Sequence, residues 1–253
     1  MQTNSSVFLG DQYYNKQHLD FILFKVLKAD SLTAFDYFSE HDKDAIKMYL
    51  EATDQFAKEY LFPYLVEMDR KQPELINGRI QVHPIHKEIM RISGENGWIS
   101  LLASKEVGGL QMPSVFSTAA SFILGAANYS GCVFPGLTMG AAHLIEAFAD
   151  KKYHSIYLPK MFAGQWQGTM ALTEPGAGSS LSDVVSTAEK QDDGTYKIFG
   201  QKIFISCGDS DVVENVVHLL LARVKGAPAG TKGISMFIVP RERIDENGIL
   251  QHN

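Results

Sequence analysis

The first part of the chain, from about residue 19 to residue 164, has its apolar side chains at steps of three and four residues, which is the spacing of one helix face. This pattern predicts helices near four segments, which are 19–27, 42–60, 84–94 and 150–162. Pro63 is predicted to end the second helix, and Pro84 suits the first turn of the third. We therefore expect this part of the chain to be helical.

Small residues dominate the stretch 117–142, between the third and fourth predicted helices. Such residues allow two helices to approach closely, or allow a flat ligand to lie against a helix. We favour close packing here, with ligand contact as the alternative.

From Trp166 onward the period becomes that of strands, with six short segments predicted at 169–172, 184–189, 196–199, 202–205, 217–223 and 234–239. The turn residues 192–194 are predicted to close a hairpin, and residues 226–233 to make a longer connection. A block of helices followed by a block of strands predicts two domains or an α+β layout rather than an alternating parallel sheet. We place the helical domain at 1–165 and the β-domain at 166–253.

Composition and charge narrow the class of protein. The 253 residues are 45% hydrophobic and 21% charged, which is typical of a soluble globular chain. The formal net charge of −6 gives no basic surplus for nucleic acid or for an anionic membrane. Met1–Gly10 lacks the features of a signal peptide, and Leu19–Leu27 is too short to cross a bilayer. We expect no membrane segment.

Metal and disulfide sites are not predicted. Cys132 and Cys207 have no spacing typical of a disulfide framework or a zinc site, which suits a reducing cytoplasm. His83 and His86 lack the further ligands that zinc needs. The acidic residues Asp209, Asp211 and Glu214 are expected in a solvated turn rather than around a cation.

The most informative segment is Met-Ala-Leu-Thr-Glu-Pro-Gly-Ala-Gly-Ser at 170–179, in which a strand runs into a glycine-containing loop. Glycine lets backbone amides approach a ligand, and successive N–H groups can form a concavity for a phosphate or a carbonyl. The loop is neither a Walker loop nor a dinucleotide fingerprint, because Ser179 and Ser180 follow Gly178 and Leu181 replaces the third glycine. On these residues alone we favour a structural turn, with a ligand-binding loop as the alternative.

Three ordered motifs resemble the middle domain of the flavin-dependent acyl-CoA dehydrogenases. They are Thr-Glu-Pro-Gly-Ala-Gly-Ser at 173–179, Gly-Gln-Lys-Ile-Phe-Ile-Ser at 200–206, and Gly-Thr-Lys-Gly-Ile-Ser-Met-Phe-Ile-Val-Pro at 230–240. The string at 208–218 further resembles the long-polypeptide subgroup, which includes 3-methylmercaptopropionyl-CoA dehydrogenases. The resemblance implies an α+β fold, with an N-terminal all-helical domain followed by a β-barrel-like middle domain.

The resemblance also implies an FAD site. Leu172 and Thr173 would lie beside the pyrimidine edge, where a donor at Thr173 would stabilise the negative charge that develops as the flavin is reduced. Phe204 would screen the ring, where many relatives carry Trp, and Ser206 would lie near N5, where many carry Thr. Ser179 would also contact coenzyme A. The implied cofactor-binding residues are Met170, Leu172, Thr173, Gly178, Ser179, Phe204, Ile205 and Ser206.

One neighbour of this loop departs from the family pattern. Ser180 replaces the aspartate that is common in the family after Gly-Ala-Gly-Ser, and Asp183 is a candidate to take its place.

The implied reaction is α,β-dehydrogenation of an acyl-CoA thioester, a step of fatty acid metabolism, with electrons leaving to an electron-transferring flavoprotein. In the family, the catalytic base is a glutamate of a C-terminal helical bundle that this chain does not contain. We therefore assign no catalytic base, and we expect the chain to be a fragment or a truncated form. Glu174 is expected to serve the structure of its loop. A full-length homo-oligomer is expected.

The alternatives are an acyl-CoA oxidase or flavin monooxygenase of the same fold, and a catalytically silent acyl-CoA-binding or protein-binding module.

Overall fold

The computed structural model describes residues 13–245 and 249–251. They divide into two compact units, the first formed by 13–72 with 101–132 and the second by 73–100 with 133–245 and 249–251. In the described part of the chain, no helix combines the length and the apolar character that crossing a membrane requires.

The first unit is helical. Its α-helices are α1 (Lys16–Phe21), α2 (Lys43–Phe56), α3 (Leu65–Arg70) and the first part of a long helix that begins at Ser114. Tighter and wider helical turns link them, at Ile22–Val26, Ala29–Ala34, Asp36–Phe38, Ala57–Leu61 and Phe62–Tyr64, and a further short turn lies at Lys105–Val107. The predicted helices at 19–27 and 42–60 are therefore confirmed as helical, with wide turns at their C-terminal ends.

The N-terminal cap and the apolar face of helix α2 follow from its sequence. The Asp42 side chain accepts a hydrogen bond from the Ala45 N–H at 2.7 Å, which satisfies a free donor of the first turn. Ile46, Leu50 and Phe56 are buried along one face. The prediction that Pro63 ends this helical segment is wrong. Pro63 lies in the first turn of a short helical segment, where a backbone N–H would have no helical partner, so proline is tolerated there. The chain then continues into α3.

The small-residue stretch forms part of one long helix, α5 (Ser114–Phe148), which is interrupted by the non-helical backbone of Asn128. The buried Asn128 side chain makes two hydrogen bonds to the main chain at this interruption. Its Nδ2 donates to the Leu61 carbonyl at 3.1 Å, and its Oδ1 accepts from the Gly131 N–H at 3.2 Å. A methyl group at Gly136 or Gly140 would meet no atom of the described chain within 4 Å. Close packing therefore does not explain these two glycines, although Ala119, Ala120 and Ala142 are buried.

The second unit combines helices with all the strands. Its helices are α4 (Ile85–Glu95), the later part of α5, and α6 (Lys151–Phe162), which confirms the two helices predicted at 84–94 and 150–162. Its strands are β1 (Glu74–Ile76), β2 (Arg79–Gln81), β3 (Trp166–Ala171), β4 (Thr187–Lys190), β5 (Tyr196–Phe199), β6 (Asn215–Val224), β7 (Ile234–Pro240), β8 (Arg243–Ile244) and β9 (Leu250–Gln251). Short turns of 3₁₀ helix lie at Leu181–Asp183 and Thr231–Gly233.

The hairpin of β1 and β2 corrects the expectation of a purely helical first part. These strands pair antiparallel, with Ile76 opposite Arg79. Asn77 and Gly78 between them both have positive φ, at 50° and 77°, which is the geometry that a two-residue Asn-Gly turn adopts. The α+β order of helices followed by a larger β-sheet is confirmed.

Strand β6 is the centre of a five-stranded mixed sheet. It pairs parallel with β3, antiparallel with β7, and parallel with β4 at its C-terminal end, and β4 pairs antiparallel with β5. The predicted hairpin turn at 192–194 and the predicted connection at 226–233 both join antiparallel strands as expected. The strand predicted at 184–189 begins later, at Thr187.

One face of β3 packs closely on helices of the same unit. A Cβ at Gly168 would lie 2.5 Å from the Ala141 Cβ and 2.9 Å from the Met161 Cε, so only glycine fits this crossing. The Gly168 N–H also donates to Thr138 Oγ1 at 3.0 Å. This packing fixes β3, and with it the start of the loop that follows the strand.

Candidate functional site

Two loops of the second unit contain most of the residues that the sequence singles out. The first loop, residues 172–180, follows β3, and the second loop, residues 200–210, lies between β5 and β6. The Ile203 N–H donates to the Thr173 carbonyl at 2.9 Å, so the two loops lie side by side. The strand predicted at 202–205 is wrong, because this single main-chain bond does not extend into a ladder.

The first loop is closed by Glu174. Its N–H donates to the Ala177 carbonyl at 2.8 Å, and the Ala177 N–H returns a bond to the Glu174 carbonyl at 3.1 Å. Pro175 and Gly176 consequently form the exposed tip of a tight turn. This local pairing explains how a Glu-Pro-Gly-Ala sequence holds its shape.

The Glu174 carboxylate is buried and fully engaged. It accepts hydrogen bonds from the Val185 N–H at 2.8 Å, from the Ser186 N–H at 3.1 Å and from Lys202 Nζ at 2.7 Å. Burial alone would raise the pKa of this carboxyl, but the bonds from Lys202, Ser186 and Val185 outweigh it and lower the pKa to about 2. Glu174 is therefore ionised at neutral pH and acts as a structural anion, not as a poised base.

Phe204 is the most unusual residue of the site. Its φ of 56° is a left-handed conformation that costs a bulky side chain energy, and 88% of the residue is exposed. A ring packed in a core would repay such strain, but this ring contacts little of the described chain. A strained, exposed aromatic residue suggests that a ligand or another surface covers it.

Gly176 and Gly178 also face open space. A Cβ at Gly176 would meet nothing within 4 Å, and one at Gly178 would meet only Thr173 Cγ2 at 3.9 Å. Neither glycine has a positive φ, so neither the backbone nor a neighbour requires glycine here. Space for a ligand to approach the main chain is the remaining physical reason for these residue types.

The other singled-out residues lie around the same two loops. Met170, in β3, and Thr173 are half-buried, as are Leu172 and Ile205, while Ser179 and Ser206 are exposed. The Ser180 hydroxyl donates to Asp183 Oδ2 at 2.7 Å, so the Asp183 carboxylate lies beside Ser180.

The acidic turn after the second loop is held by salt bridges. Arg241 Nη1 donates to Asp209 Oδ1 at 2.8 Å and to the Ser210 carbonyl at 3.0 Å, and Asp211 pairs with Lys87 at 3.1 Å. The described residues contain no group of three or more His, Cys, Asp or Glu placed to hold a metal ion. These carboxylates thus fix the course of the chain.

Sequence reasoning missed one residue of the site, Lys202. Its side chain is only 8% exposed, and besides Glu174 it donates to the Leu172 carbonyl at 3.0 Å. The available signal was a lysine in the middle of an apolar segment, but its partner lies 28 residues away in the sequence. Only the folded arrangement brings the two charges together.

Two family models match this chain, and they cover most of it. The model described as "Acyl-CoA dehydrogenase, N-terminal domain" matches residues 43–165, and the model described as "Acyl-CoA dehydrogenase, middle domain" matches residues 169–250. Helices α2 to α6, most of the larger sheet and the two adjoining loops lie within these matches. The chain belongs to the acyl-CoA dehydrogenase family.

Individual relatives agree with this assignment. A 3-methylmercaptopropionyl-CoA dehydrogenase of Ruegeria pomeroyi is 40% identical over 215 residues, which are 85% of this chain and 37% of that protein. A butyryl-CoA dehydrogenase of Syntrophomonas wolfei is 34% identical over 88% of this chain and 36% of its own length. The chain therefore spans little more than a third of either relative.

A solved structure confirms the fold. The acyl-CoA dehydrogenase of Bacillus anthracis complexed with FAD has a TM-score of 0.63 to this chain at 24% identity, covering 79% of this chain and 32% of that one.

Proposed function

We propose that this chain is the N-terminal and middle portion of an FAD-dependent acyl-CoA dehydrogenase, and that the flavin lies against the two adjoining loops. The observation that carries the proposal is the exposed, left-handed Phe204 joined through Ile203 to Thr173, in a chain of this family. The open space at Gly176 and Gly178 fits a ligand that approaches the main chain. A structure of the same fold is described as complexed with FAD.

Each loop would supply a different part of the flavin site. Leu172 and Thr173 would border the pyrimidine edge, where a Thr173 donor would stabilise negative charge at N1 and the C2 carbonyl. Phe204 would cover one face of the ring and exclude water from it. Ile205 and Ser206 would continue that wall toward N5, and Met170 would border the ring from β3.

Gly178 and Ser179 would serve the phosphate and coenzyme A side. Both residues are exposed, and the glycine leaves the backbone accessible to an anionic group. The Ser179 hydroxyl can donate a hydrogen bond to a phosphate or to the thioester side of the substrate. This assignment makes Ser179 the residue shared by cofactor and substrate.

The chemistry would be removal of two hydrogens from the acyl chain. FAD, when bound, would supply the acceptor for the hydride from Cβ, and a carboxylate would take the proton from Cα. Glu174 does not serve as that carboxylate, because three donors occupy it and it is buried. The base would come from the part of the full-length protein outside these residues.

The remaining expectations stand as proposals for the full-length protein. They are an electron-transferring flavoprotein as electron acceptor, a homo-oligomer, a cytoplasmic location, a role in fatty acid metabolism, and a division into domains at 1–165 and 166–253.

The experiment that tests this function is product analysis with the full-length protein. With a saturated acyl-CoA and an artificial electron acceptor under anaerobic conditions, we expect a product two mass units lighter, identified as the 2-enoyl thioester. Hydrogen peroxide formed in stoichiometric amounts in air would instead indicate an oxidase. An oxygenated product would indicate a monooxygenase, and unchanged acyl-CoA a silent binding module.

A further inference from the structure

The two candidate loops are joined by a buried ion pair. Lys202 Nζ lies 2.7 Å from Glu174 Oε1, and the side chains are 8% and 1% exposed. The same ammonium donates to the Leu172 carbonyl at 3.0 Å. One charged group of the second loop thus contacts two residues of the first loop, Leu172 and Glu174.

A buried pair of this kind fixes geometry more than it adds stability. Ion pairs on the surface contribute little, and replacement of a buried pair by apolar residues is often neutral, whereas removal of one partner leaves an unpaired buried charge. Here the carboxylate has donors from Lys202, Val185 and Ser186, so its position is determined from three directions. The pair therefore specifies one arrangement of the loops.

The residues that this pair positions are those of the proposed flavin site. Leu172 and Thr173 both direct their carbonyls to the second loop, the first to Lys202 Nζ and the second to the Ile203 N–H. Phe204 follows directly after Ile203. The separation between Thr173 and Phe204 thus depends on contacts made by Lys202 and its neighbour.

We propose that Glu174 and Lys202 form a positioning pair that sets the spacing of Thr173 and Phe204 against the flavin, and thereby its spectrum and reduction potential. The inference rests on the proposed function, since it requires FAD to lie against these residues. Neither member is a catalytic residue. Both act through the two loops that they hold together.

The test uses three variants of the full-length holoprotein: Lys202→Met, Glu174→Gln and the double variant. Each single change leaves one buried polar group without its partner, so we expect reduced thermal stability. The double variant removes both charges, and we expect much of the stability to return. Its FAD affinity should nevertheless stay at least about tenfold weaker than that of the wild type, with a shifted flavin absorption band and a changed reduction potential.

Two further variants make the result specific. Lys202→Arg keeps a donor for both acceptors, and we expect it to restore the wild-type flavin spectrum in large part. Lys225→Met removes the exposed pair of Lys225 and Glu189 at 3.1 Å in the same unit, and should leave the spectrum, affinity and potential unchanged.

The proposal is overturned if the folded double variant binds FAD with wild-type affinity, spectrum and potential, because the pair would then be merely structural. This outcome differs from failure of the proposed function itself. In that case the wild-type protein would not bind FAD in the first place.

Discussion

Replacement of Phe204 by glycine should separate folding from flavin binding. The wild-type residue has φ = 56°, a conformation that costs a non-glycine residue about 1–2 kcal/mol and costs glycine nothing. Glycine makes the unfolded chain more flexible, which offsets about 0.4–1 kcal/mol of that gain. With 88% of the residue exposed, little burial is lost. The free energy of unfolding of the apoprotein should therefore rise by about 0–1.6 kcal/mol.

The same substitution should weaken FAD binding. Stacking of a heterocycle on an aromatic side chain contributes about 1–3 kcal/mol, so its loss corresponds to a dissociation constant roughly 5 to 150 times higher. Phe204→Trp restores an aromatic face and should bind FAD as the wild type does. Phe199→Ala, at a half-exposed phenylalanine of β5, is the matched control and should leave FAD affinity unchanged.

Two measurements check this prediction: urea unfolding of the apoprotein, and FAD titration followed by quenching of flavin fluorescence. A loss of 3 kcal/mol or more, about the cost of truncating a packed phenylalanine, would show that Phe204 belongs to a core. Unchanged FAD affinity in Phe204→Gly would show that the ring does not cover the flavin. Either result would refute the reasoning.

Three other perturbations concern folding. Burial and the nearby His83 lower the pKa of His86 to about 4, despite Asp211. The free energy of unfolding should therefore fall by about 3 kcal/mol as the pH drops from the unfolded-state pKa of 6.5 toward 4. Urea unfolding of His86→Phe should not show this loss. Gly94→Ala places a Cβ 2.3 Å from the Ala163 carbonyl group and should lower the melting temperature, by an overpacking cost of about 1–3 kcal/mol. Asn128→Ala removes the hydrogen bonds to Leu61 and Gly131, and should lower the free energy of unfolding measured by chemical denaturation by about 1–3 kcal/mol. Wild-type stability of this variant would show that the kink does not need the Asn128 side chain.

The strands of the larger sheet could be predicted because their signals are local. β5 begins and ends where apolar alternation and the Asp-Asp-Gly turn place it, and β6 and β7 differ from their predicted bounds by only a residue or two. The Asn77-Gly78 turn was also a local signal, but its strands are too short and too exposed to show a clear hydrophobic alternation.

The candidate site was less accessible to sequence reasoning. The segment 202–205 has strand composition, yet Lys202 is used in an ion pair and Phe204 turns into a left-handed conformation, and both choices depend on tertiary contacts. Family resemblance predicted a role for the loop residues, but it did not reveal which charges hold the loops together. Such long-range electrostatic contacts lack any periodic pattern in the sequence.

An anaerobic titration of the full-length protein tests most directly whether FAD on these loops oxidises an acyl-CoA. The absorbance of oxidised flavin is followed while saturated acyl-CoAs of graded chain length are added. We predict stoichiometric bleaching by one length class. No bleaching by any of them, in a protein whose bound FAD is reduced by dithionite, would contradict the account.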